Sequence, residues 1–204
     1  CFAYSVVTAG QNAPTIGSWD MGNAINLKGM FENVTWSSLG IGAWNFGVAQ
    51  DFRRMFSGAA NYNEDLNDWG RTGSTTATVT NMKGMFSGAA SFTSDLNVWN
   101  VSNVLDMDNM FKGATNFNGN IGRGTFSGWL PSSCTTMSGM FEDAVSFNVG
   151  IGLWDVSSVV DMSTMFKTAV VFNQDLSGWN VNNVTNSTDF ATGATSWTLP
   201  KPNF

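Results

Sequence analysis

The chain repeats itself, and that limits its fold more than any other feature. Residues 103–117 read NVLDMDNMFKGATNF, and residues 158–172 read SVVDMSTMFKTAVVF. Taking the Phe of the Met-Phe pair as an anchor gives Phe31, Phe56, Phe86, Phe111, Phe141 and Phe166, with Val6 and Ala191 in the matching places of two degenerate end copies. Successive anchors are 25, 25, 30, 25, 30, 25 and 25 residues apart. The two long steps place five-residue insertions in 70–78 (GRTGSTTAT) and near 122–128 (GRGTFSG), whose Gly, Ser and Thr suit surface loops. A unit this short cannot bury its apolar face alone, so the copies must stack against one another.

Within each unit the apolar positions are regular. Met107, Met110, Phe111 and Ala114 fall at i, i+3, i+4 and i+7, which predicts one face of a short helix. The residue before it is Asn26, Asp51, Asn81, Asp106, Thr136, Asp161 or Asn186, all N-cap types. Gly58, Gly88, Gly113 and Gly193 stand two residues past the anchor, where such a helix would end. Thirteen residues past the anchor comes Trp19, Trp44, Trp69, Trp99, Trp154 or Trp179, with Trp129 five residues late. A further aromatic ladder runs through Tyr62, Phe92, Phe117, Phe147, Phe172 and Trp197. After the Trp, stretches such as WNVSNV (99–104) and WDVSSV (154–159) predict a short strand with Trp99 and Val101 on one side and Asn100 and Ser102 on the other.

The units SNVLDMDNMFKGATNFN and SSVVDMSTMFKTAVVFNQDLSGWNV resemble the BspA-like bacterial surface-protein repeat of the leucine-rich-repeat superfamily, over about Phe2 to Trp197. The expected fold is therefore an LRR-like β/α solenoid. It would be a single domain over 1–204, of about eight coils of 25 residues, two with insertions, each with one short parallel strand and one short helix; the degenerate end coils cover about 2–19 and 187–204. The resemblance implies display on a cell surface, with adhesion or protein binding as its usual role, and it makes Cys1 a candidate for the lipid-modified first residue of a lipoprotein. The other reading of Cys1 is that the sequence simply begins there, since Phe2 already belongs to a repeat.

Composition narrows the function classes. Nine Lys+Arg against fifteen Asp+Glu, with no basic run, leave nothing to neutralise a row of phosphates, so nucleic acid is not an expected partner. No apolar stretch is long enough for a membrane span. The chain has no histidine, which removes Ser-His-Asp and Cys-His nucleophile systems and the usual general base near neutral pH. Neither catalytic residues nor a cofactor or metal site is expected. Asp65, Asp95 and Asp175 recur in one turn and read as turn caps, with calcium as the alternative. Cys134 takes the place of a core valine and reads as a small hydrophobe, too far from Cys1 for a disulfide.

The expected role is a non-enzymatic repeat protein, extracellular or at the cell surface, that recognises an extracellular protein or glycan. The candidate binding face is the outward, almost uncharged side of the predicted strands: Asn100, Ser102, Asn103, Asp155, Ser157, Ser158, Asn180, Asn182 and Asn183. Sequons at Asn33, Asn100, Asn183 and Asn186 are acceptor sites only in a host that glycosylates. The alternative is a structural subunit of an extracellular fibre, sheath or virion appendage that binds copies of itself through the ends of the stack. Pro200 and Pro202, read as ending the ladder, weigh against that alternative.

Overall fold

The computed structural model describes residues 16–70, 76–122 and 129–204. Cys1, the Val6 anchor and most of both insertions lie outside these residues. The remaining copies wind into coils stacked in register. One parallel bridge per step runs Asn26, Asp51, Asn81, Asp106, Thr136, Asp161 and Asn186, so the residues read as N-caps are the ones that pair coil to coil.

The expected helix and strand of each coil are absent from the described residues. Among the described residues there is no α-helix and no strand longer than a single bridge; the one helical element is a 3-10 turn at Asn67–Gly70. The LRR-like β/α assignment is thereby overturned, and the backbone shows why. From Met82 to Ala89, alternate N–H groups leave the coil: those of Met82, Gly84, Phe86 and Gly88 donate to the carbonyls of Asp106, Asp108, Met110 and Lys112 in the next coil at 2.7–3.0 Å. The N–H groups between them close turns three residues back, Met85 to Met82, Ser87 to Gly84 and Ala89 to Phe86. A helix would need all of these donors for bonds four residues back. Two left-handed residues per coil hold the turns open, Gly84 (φ 61°) and Gly88 (φ 70°) here, Asn109 (φ 55°) and Gly113 (φ 67°) in the next coil. A chain of β-turns also brings Met82, Met85, Phe86 and Ala89 inside, and all four are fully buried. The i, i+3, i+4, i+7 pattern is therefore real but belongs to turns.

The predicted strand is likewise a turn. Val104 N–H donates to Val101 O at 3.0 Å, which puts both valines in the core instead of alternating them. Asn100 caps this turn, its Oδ1 accepting from Ser102 N–H at 3.1 Å and from the Ser102 hydroxyl at 2.7 Å.

Three aromatic ladders fill the interior. Anchor phenylalanines from Phe56 to Phe166 stack nearly parallel on the next coil's anchor, with ring centroids 5.5–5.7 Å apart. In the coils of Phe56 to Phe166 the anchor also stacks on the second ladder, as Phe111 does on Phe117 at 4.0 Å. The tryptophans form the third ladder, and each indole satisfies its own donor by reaching back one coil. Trp44, Trp69, Trp99, Trp129, Trp154 and Trp179 donate to the carbonyls of Ile16, Ile41, Leu66, Leu96, Ile121 and Ile151 at 2.7–3.2 Å. Trp129, five residues late in sequence, is in line in space, 5.7 Å from Trp154, so the insertion lies between Gly122 and Trp129.

The last coil differs. Phe190 and Trp197 turn edge-on to the rings beneath them, Phe166 to Phe190 at 5.3 Å and 78° and Phe172 to Trp197 at 4.7 Å and 81°. Pro200 does not end the pairing, because only its carbonyl is needed, and it accepts from Leu176 N–H at 3.0 Å.

Candidate functional site

The residues expected to form a binding face serve two structural jobs. Asn100, Asp155 and Asn180 are turn caps: Asp155 Oδ1 accepts from Ser157 N–H at 3.1 Å and its hydroxyl at 2.7 Å, and Asn180 Oδ1 accepts from Asn182 N–H at 3.2 Å. The hydrogen bonds from Ser157 hold the Asp155 carboxyl below its ordinary range. Asn103, Ser158 and Asn183, eight residues before their anchors, donate to the preceding coil at Ala77 O, Ser132 O and Ser157 O, at 2.7–2.8 Å. The structure thus splits the nine residues into three caps, Asn100, Asp155 and Asn180, the three residues that donate to them, Ser102, Ser157 and Asn182, and a row of three inter-coil donors.

The exposed column beside those donors was not singled out in the sequence. Six residues before each anchor stand Ile25, Gln50, Thr80, Leu105, Thr135, Val160 and Thr185, all exposed. Their backbones form an unbroken ladder, each N–H from Gln50 to Thr185 donating to the preceding residue of the column at 2.8–2.9 Å. The buried residue between the two columns is Ala49, Val79, Val104, Cys134 or Val159. The signal available in the sequence was the absence of any charge in the column, not a shared residue type.

The carboxylates are engaged with amides. Asp65 and Asp175 accept from the N–H groups of Asn67 and Ser177, and Asp95 accepts from Asn120 in the next coil. Glu64 clamps the preceding coil, Oε2 accepting from Leu39 N–H at 2.8 Å and Oε1 from Gly42 N–H at 2.7 Å. Asn63, Asn118, Asn148 and Asn173 form a ladder in which each Oδ1 accepts the next coil's N–H at 2.8–2.9 Å. Among the described residues no three His, Cys, Asp or Glu side chains gather as a metal site. A shallow groove of about 630 Å³ crosses three coils between Asn120, Val149, Leu153 and Asp175.

Of the sequon asparagines, Asn183 and Asn186 use Nδ2, the atom a glycan would occupy, to bond Ser157 O and Asp161 Oδ2 in the preceding coil. Asn33 is exposed at a left-handed turn position, φ 59°. Asn100 is half-buried by its cap.

A family model described as Mycoplasma protein of unknown function, DUF285, matches residues 3–123 and 122–204. The chain belongs to this family. Neither a curated protein nor a solved structure is significantly similar to it. The family description carries no activity, so function must be argued from the surface.

Cys134 can be set aside as a reactive group. It is free and fully buried, and burial pushes its thiol up to about 12. Alkylation at pH 8 followed by peptide mapping should leave Cys134 unmodified in the native protein and label it fully in denaturant. Rapid native labelling would mean that the stack opens at this coil.

Proposed function

We propose that this chain is a non-enzymatic scaffold, surface-displayed or secreted, for adhesion or for recognition of protein or glycan. The observation that carries the reading is the in-register stacking of seven bridged positions, which repeats each surface column along the whole stack. Such an array offers an extended ligand the same contact many times over. The recurrent polar groups inside it are consumed in holding coil to coil, and the chain has no histidine for acid/base work. The resemblance to BspA-like repeats supports the same reading, including display at the cell surface. No helix among the described residues is long and apolar enough to cross a membrane.

The test is adhesion of beads coated with the full chain to cells and to extracellular matrix, against beads coated with the heat-denatured chain. Saturable adhesion that the soluble chain competes away is expected. Equal adhesion of both bead types would remove the reading.

A second reading, the structural subunit, is favoured by one observation. In the last coil the N–H groups of Ser187, Asp189, Ala191 and Gly193, the counterparts of donors that pair in every inner coil, find no acceptor among the described residues. An open row of donors is a template for pairing with a further coil, of the same protein or of another copy. Light scattering over a concentration series with electron microscopy separates the two: rods that lengthen with concentration favour the subunit, and a constant monomer favours the scaffold.

A further inference from the structure

We infer that the two-column strip six and eight residues before the anchors is a docking surface for a neutral, linear polysaccharide. This rests on the scaffold reading and narrows it to one face and one ligand class. None of the strip's residues is charged, although the chain carries a net charge of −6. Four of the large apolar side chains that the molecule exposes lie on it, Ile25 at 58%, Leu105 at 48%, and Val48 and Val160 at 43% each.

Many of the strip's side-chain donors are spent on backbone carbonyls of the preceding coil. The hydroxyls of Thr80, Thr135 and Thr185 donate to the carbonyls of Gln50, Leu105 and Val160 at 3.0–3.4 Å. With those donors tied back, C–H surface is what faces solvent. The six-before column is thus a run of methyl and methylene groups, interrupted by the Gln50 amide, fixed by the backbone ladder beneath it and flanked by an eight-before column that is polar except at Val48. Columns two residues apart are separated by about 7 Å, and seven coils span about 29 Å.

Those dimensions decide the occupant. A stable protein–protein contact needs about 800 Å² per partner, more than a strip this narrow supplies. A sugar chain is a narrow, uncharged rod whose ring faces present C–H groups and whose edges present hydroxyls. The ring faces fit the methyl and methylene column. The hydroxyls reach the adjoining rim, where Asp106 and Asp161 stand half-buried one residue further along, while Asp51 in the same row is ion-paired with Arg53. Carboxylates on the rim accept from neutral hydroxyls and repel an anionic polymer, so the surface selects against acidic polysaccharides.

The experiment is retention of the full chain on insoluble cellulose, chitin, mannan and β-1,3-glucan, with alginate as the acidic comparison. The double variant Leu105→Lys/Val160→Lys charges the centre of the strip, and Val171→Lys charges an exposed apolar position on another face. Retention on at least one neutral polymer is expected, at least about tenfold weaker for the double variant because a cation must be desolvated there, unchanged for Val171→Lys, and absent on alginate. Failure to bind any neutral polymer, or retention that both variants leave equal, overturns the inference. So does a concentration-dependent dimer abolished by the double variant, which would make the strip a contact between copies. Beads that adhere to cells without competition from any neutral polysaccharide would leave the scaffold reading standing and this inference refuted.

Discussion

Replacing Phe111 with Ala is expected to cost about 3–5 kcal/mol, the range for deleting a large buried ring together with the cavity it leaves. Phe111 is fully buried and sits at a crossing of ladders. It stacks on Phe86 at 5.6 Å, on Phe141 at 5.7 Å and on Phe117 at 4.0 Å, and tilts against Trp129 at 6.4 Å. The neighbours cannot collapse into the gap, because the backbones on either side are tied coil to coil by hydrogen bonds from Phe86 N–H to Met110 O and from Phe111 N–H to Met140 O. A stack of repeats is stabilised mainly by nearest-neighbour interfaces, so the loss should uncouple the coils on either side as well as destabilise the whole. Urea unfolding followed by tryptophan fluorescence should then show two transitions, or one with a lowered m value. Phe111→Leu should recover a large part of the loss. A single transition of unchanged slope, displaced by less than about 1 kcal/mol, would mean that the ladders are not the stabilising element.

The ladders were legible in the sequence because they depend only on period. Met82, Phe86 and Phe92 recur at the same spacing in the copies of Phe111, Phe141 and Phe166, Trp99 does so in all of these but the copy with the insertion before Trp129, and each is fully buried. Cys134 was readable as core by its place in the copy, and it too is buried. The backbone path was not legible in the same way. A short run of β-turns and two turns of helix place the same side chains inward, so apolar spacing alone could not separate them. The discriminating signal was the residue two before the anchor. Gly29, Gly84 and Gly139 stand there, a poor choice for the middle of a helix and a good one for φ near +60°. Arg54 and Thr164 occupy the same place in other coils and masked the signal. Gly58, Gly88, Gly113 and Gly193, two residues past the anchor, suit a helix end equally well. They hold the second left-handed position of their coils, which Asn33, Asp143 and Thr168 fill in the others.

The surface was harder to read for a related reason. Asn100, Asp155 and Asn180 were placed on an outward strand face by alternation, and the turn from Val101 to Val104 breaks that alternation. Once the backbone turns, the asparagine and aspartate become caps, which is what short polar side chains do near free amides. The exposed ladder lies elsewhere, beside the bridge residues, where coil-to-coil pairing flattens the backbone. Thr80, Leu105, Thr135 and Val160 share little as a sequence motif. Stacked, they share a ladder, a direction and the absence of charge.

Substitutions at Thr164 should decide between the two backbones by sign alone. Thr164 has φ 53°, its N–H donates to Thr188 O at 2.9 Å, and its hydroxyl donates to Glu142 Oε2 at 3.3 Å. A β-branched residue in the left-handed region carries a penalty of roughly 1–2 kcal/mol. Thr164→Gly relieves it at an entropic cost of about 0.5–1 kcal/mol, and Thr164→Asn relieves part of it without that cost. Both variants should therefore be as stable as the parent or up to about 1 kcal/mol more stable, even after losing a long, half-buried hydrogen bond. In a helix the order reverses, since Gly is the poorest helix former after Pro. Thr164→Pro should be the extreme case. Proline locks φ near −65° and removes the donor that reaches Thr188, so a loss of about 3 kcal/mol or more is expected. Thermal unfolding of the three variants beside the parent measures the order. If Gly destabilised and Asn were neutral, the coil would be helical at this position. If Pro were tolerated, the coil-to-coil hydrogen bond at Thr164 would not contribute to the stack.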